Sequence, residues 1–184
     1  HWHWLSELTR YGDRNLLHDH LGLGEDASAG LVADELAPDC ADGPYFLRAY
    51  FAWKLGLPFG FHECRFGTVS GPPECRNFTT NESWEPGAPL GGDRPPPPGR
   101  AARLARMSAF LEELKRVVMA RSLRTSLLTD ASDLYPVGLT RTALRPGVVF
   151  SDPYGHTLTL VRYVAQAPGT PGRLLSVDAQ PDGT

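Results

Sequence analysis

Apolar positions recur at three and four along residues 44 to 56, where Phe46, Leu47, Tyr50, Phe51 and Trp53 make a broad face. That spacing predicts a buried central helix. Pro44 suits its first position, Asp42 or Gly43 its cap, and Gly56 and Pro58 its stop. The clearest helical pattern covers 100 to 122, where Leu104, Met107, Leu111, Leu114 and Val118 form one stripe that reads as core packing. Upstream, Trp4, Leu5, Leu8 and Tyr11 are helically spaced up to Gly12, and "ASAGLVADEL" (27 to 36) reads as a second short helix, so 1 to 36 is an N-terminal helical segment. The period changes in the last third, 144 to 180. "GVVFS" (147 to 151), "HTLTLVRYVA" (156 to 165) and "RLLSVDA" (173 to 179) are short, β-branched and separated by the turn signals "DPYG" and "QAPGTPG". Antiparallel strands after helices predict an α+β domain. Between the two main helices, residues 60 to 100 read as an irregular Gly/Pro-rich loop containing "DRPPPPGR", of a length usually functional or disordered.

Composition narrows the classes. The 184 residues suit one domain with a real core. A net charge of −3 points to neither a nucleic acid nor an anionic membrane surface, and no apolar run reaches the roughly 20 residues of a membrane span. No signal peptide is evident, residue 1 is His, and both ends read as cut from a longer chain. Only Lys54 and Lys115 are lysines among eighteen basic residues, a bias that fits a GC-rich bacterial genome, in which "NFT" and "NES" are chance matches to the glycosylation acceptor. The three cysteines, Cys40, Cys64 and Cys75, leave one thiol over. Cys64 and Cys75 share the contexts "ECRFG" and "ECRNF" around a turn-rich loop, so in an exported protein they are expected to pair.

Cys40 is then the thiol to explain. It precedes the central helix, and a helix N-terminus favours a thiolate, whereas the flanking Asp39 and Asp42 oppose one unless one of them serves as a cap. Cysteine chemistry also needs a base and a group that orients it. His156 opens a strand after a tight turn and is the candidate base. Asp178, ending the next strand, is the candidate orienting acid, with Gln180 second; Asp178, Gln180 and Asp182 share one face while the chain is extended. A hairpin centred near Gly169 sets His156 opposite about residue 182, and a bulge or shorter loop moves the partner toward 178. Structural readings stand beside these: Cys40 as an inert thiol, His156 as a turn residue, Asp178 as a strand end. Tyr45 and Tyr154 either line a cleft or fill the core. The pairs His1/His3 and His18/His20 are more often surface features than metal ligands. His62, Cys64 and Cys75 lack the fourth ligand and paired spacing of a zinc site, and no "GxSxG" elbow occurs, so no metal or cofactor is expected.

The order of "DCADGPYFLRAYFAWKLGLPF", "LRPGVVFSDPYGHTLTLVRYV" and "LLSVDAQ" resembles that of the NlpC/P60 and transglutaminase-like cysteine enzymes of the papain-like superfamily. The resemblance covers 37 to 58 and 144 to 180. It implies a papain-like domain, with a central helix on a small antiparallel sheet and Cys40, His156 and Asp178 as nucleophile, base and orienting acid. It also implies amide acyl transfer through a thioester, as a peptidase or amidase acting on a peptide or protein, cell-wall peptides included. Transamidation or deamidation is the alternative, and a catalytically inactive binding module the rival from another class. A cell-envelope or secreted setting is favoured over a cytoplasmic one. The chain departs from the pattern in having "ADGP" after the cysteine and a large 60 to 140 segment.

Overall fold

The computed structural model describes residues 38–71, 73–85, 87–91, 100–123, 125, 128, 132–152 and 155–179. The architecture is α+β, with two helices and two small antiparallel sheets among the described residues. Helix α1 spans Asp42–Lys54 and α2 spans Arg100–Val117, followed by a 3-10 turn at Ala120–Ser122. Strands β1 (Gly60–Cys64) and β2 (Cys75–Thr80) make a hairpin, while β3 (Val149–Ser151), β4 (Thr157–Val164) and β5 (Arg173–Val177) make a three-stranded sheet in that order. No described helix is long and apolar enough to cross a membrane.

The core lies between α1, α2 and the hairpin. Tyr45, Phe46 and Ala49 of α1 meet Phe59 and Phe61 around β1, Trp84, and Met107, Phe110, Leu111 and Leu114 of α2. Phe110 is its hub, with ring centroids of Phe61, Trp84 and Phe59 at 5.3, 5.9 and 6.3 Å, inside the range where aromatic pairs attract. Phe110 lies on the predicted stripe without having been counted in it. The other side of α1, with Gly43, Pro44 and Leu47, and the Cys40 turn that precedes it face β4 and β5. A helix covered on both sides must be apolar nearly all round, which is why the sequence face was so broad.

Two expectations need correction. The 60 to 100 segment is not irregular throughout, because β1 and β2 pair within it and a Cys64–Cys75 disulfide closes the hairpin. Its strands are short, bulged between Phe61 and Glu63, and carry Asn77 at φ 54°, so neither shows clean alternation. Both sulfurs being in that bridge, Cys64 and Cys75 are not zinc ligands. The helix cap is Asp39 rather than Asp42 or Gly43. Its carbonyl accepts the first helical bond from Gly43 N–H at 2.9 Å, and its Oδ1 accepts the N–H groups of Ala41 and Asp42 at 2.8 and 3.2 Å. Asp42 Oδ2 accepts Asp39 N–H at 3.2 Å in return, the reciprocal arrangement of a capping box.

Candidate active site

With Asp39 as cap, Cys40 opens the hydrogen-bonded turn that leads into α1, two residues before the helix begins at Asp42. Pro44 has no N–H to give the carbonyl four residues back, and its ring crowds that carbonyl, which belongs to Cys40. The Cys40 carbonyl instead accepts the hydroxyl of Thr157, a fully buried residue at the start of β4. The Cys40 side chain itself is half-buried and its thiol is free of the disulfide.

His156 is delivered by the turn between β3 and β4. Asp152 N–H bonds His156 O at 2.8 Å, Gly155 N–H bonds Asp152 O at 3.2 Å, and Gly155 adopts φ 98°, a conformation that favours glycine. His156 Nε2 lies 2.9 Å from Asp178 Oδ2. The β4–β5 register explains the match. Arg162 faces Leu175 but Thr159 faces Val177, so a bulge at 161 absorbs one residue. Running that register on sets Asp178 opposite Leu158, on the same side of the strand as His156.

Cys40 and Asp178 line one cleft with Gly43, Pro44, Leu47, Thr157, Thr159, Val177 and Ala179. Its enclosed space is about 10 Å³, room for about one water. Thus Asp178 joins His156 by a hydrogen bond and adjoins Cys40 across the cleft, while no described hydrogen bond links the Cys40 thiol directly to the imidazole. Gln180, Tyr154 and the N-terminal histidines lie outside the described residues. Tyr45 does not line the cleft: it is buried in the core, and its hydroxyl donates to Asp133 at 2.9 Å.

With Asp178 as a carboxylate, the imidazole donates from Nε2, leaving Nδ1 to take up or give a proton. Backbone N–H groups beside Cys40 are the natural oxyanion donors for such a nucleophile, and few of them are free. Those of Asp39, Ala41, Asp42 and Gly43 are engaged in the cap, and Pro44 has none. Cys40's own N–H is the one left unbonded among the described residues of this turn. Comparison with protein-family models, curated proteins and solved structures gives no match.

Proposed function

We propose that the chain is a papain-like cysteine enzyme that transfers an acyl group from an amide, with a peptide or protein as substrate and water as the ordinary acceptor. The observation that carries this reading is the 2.9 Å His156–Asp178 pair beside a cleft walled by Cys40. The Cys40 thiol passes its proton to His156 Nδ1 as the sulfur attacks the carbonyl carbon, forming a C–S bond and a tetrahedral oxyanion that accepts the Cys40 N–H. Collapse breaks the C–N bond, and the imidazolium gives its proton to the departing amine. Water then attacks the thioester, losing a proton to His156 as the C–O bond forms. The C–S bond breaks, the acid product leaves, and the proton on the imidazolium returns to the sulfur. Asp178 holds the ring and stabilises its charged form throughout. A disulfide-closed hairpin fits an oxidising compartment, in keeping with an exported protein.

The test is alkylation of Cys40 by iodoacetamide at pH 6 to 7, followed by intact mass. Fast labelling that His156→Ala abolishes supports the reading, whereas slow labelling indifferent to His156 leaves a binding module. Incorporation of a labelled primary amine into a glutamine donor would move the acceptor from water to an amine.

A further inference from the structure

We infer that Thr157 is a positioning residue for the Cys40 nucleophile, acting through the Cys40 backbone carbonyl that Pro44 leaves free; this rests on the acyl-transfer reading above. In an uninterrupted helix the carbonyl of residue 40 would bond the N–H of residue 44. Proline at 44 removes that donor, so the turn leading into α1 is not held by the helix's own ladder at the residue that carries the thiol. The Thr157 hydroxyl supplies the missing bond from another element.

The donor's place gives the bond its meaning. Thr157 directly follows His156, so the strand that delivers the base also grips the backbone of the nucleophile, 117 residues away in sequence. A second contact sets the same turn against the residues that follow β5. A Cβ built on Gly43 would lie 3.0 Å from the Ala179 Cβ, tighter than ordinary packing allows, and Ala179 is the neighbour of Asp178. The turn bearing Cys40 is thereby fixed to both strands whose ends carry the His156–Asp178 pair. A threonine at a position 1% exposed is an expensive choice for packing alone, because an unpaired buried hydroxyl is unfavourable. Valine has the same shape and would fill the space.

The experiment measures the iodoacetamide rate at Cys40 in wild type, Thr157→Val, Thr157→Ser and His156→Ala, with melting temperatures alongside. Removing the hydroxyl while keeping the shape is expected to slow labelling on the order of ten-fold, since small misplacements of reacting groups are amplified in rate. Thr157→Ser, which retains the hydroxyl, is expected to restore the wild-type rate whatever its melting temperature; a role in packing alone would not give that rescue. If His156→Ala is slow but Thr157→Val reacts like wild type, the positioning role is overturned and the nucleophile reading survives. If His156→Ala reacts like wild type, the nucleophile reading falls and takes this one with it. Should Thr157→Val not fold, Thr157→Ala carries the test against Thr157→Ser: the two differ only in the hydroxyl, and a folded Thr157→Ala protein labelled at the wild-type rate overturns the inference.

Discussion

Two histidine–aspartate pairs sit on opposite sides of helix α1. His156 and Asp178 meet at 2.9 Å through Nε2, with ring and carboxylate about one-third exposed beside the Cys40 cleft. His62 and Asp133 meet at 2.5 Å through Nδ1, with the carboxylate only 10% exposed. Asp133 also accepts the His62 backbone N–H at 3.0 Å and the Tyr45 hydroxyl at 2.9 Å, and the His62 ring packs tilted against Phe78 at 4.7 Å between centroids. The carboxylate of the second pair is thus committed to pinning the 132–138 segment onto β1 and α1. The first pair adjoins a cleft and a thiol. The same two side chains therefore make a clamp in one place and a candidate acid–base device in the other, and what separates them is the company of the carboxylate.

Exchanging the histidines breaks the comparison most directly. On the proposed acyl transfer, His156→Ala is expected to slow Cys40-dependent amide turnover by about 10²- to 10⁴-fold, the usual contribution of a positioned acid–base group, with a small change in stability. His62→Ala is expected to leave turnover per folded molecule unchanged. Equal losses in both variants would mean that the two pairs do not differ in kind.

Asp42 supplies the contrast of a buried carboxyl without an imidazole. It is 1% exposed, and its Oδ1 makes no hydrogen bond among the described residues. Burial holds it up at about 7 against an ordinary 3.8; the Asp39 backbone N–H opposes this and the Asp39 charge adds to it. The folded protein therefore binds this proton more tightly than the unfolded chain. The stability it confers is complete below about pH 3.8 and declines as pH rises through about 7. In urea titrations from pH 4 to 8, Asp42→Asn is expected to lack this decline, which approaches on the order of 4 kcal/mol when fully expressed. Parallel pH slopes in the two proteins would refute the assignment.

Which of these features could be read from the chain follows the range of the forces behind them. The two helices were legible because their apolar periods are local and strong, although α2 ends at Val117 rather than 122. The Asp39 cap was hidden by Pro44, which looks like a first helical residue but here follows a turn already closed. Parity alone gave the side of β5 that faces His156; choosing residue 178 required the bulge at 161, which no composition signal marks. The Asp133 clamp was invisible, since its partners lie 71 and 88 residues away and no local pattern links the three. The hairpin strands were lost to irregular backbone, yet the similar contexts of Cys64 and Cys75 still indicated their pairing.

The clamp offers the smaller and finer tests. Asp133→Ala strands the Tyr45 hydroxyl and the His62 N–H together, so a loss of about 3 kcal/mol is expected, read as a lower urea midpoint with an unchanged slope. Tyr45→Phe removes one donor and leaves the carboxylate its two others, so about 1 kcal/mol is expected. Burial, with Asp133 adding to it, holds the Tyr45 phenol well above its ordinary range, so it remains a donor at every pH at which the protein is handled. The Tyr45→Phe loss should therefore be flat from pH 6 to 9. Cys40 labelling should match wild type in both variants, because the clamp faces the core side of α1 and the cleft faces the sheet. A Tyr45→Phe protein with wild-type stability but slow labelling would reverse the assignment, making the second pair part of the chemistry and α1 the element that couples the two.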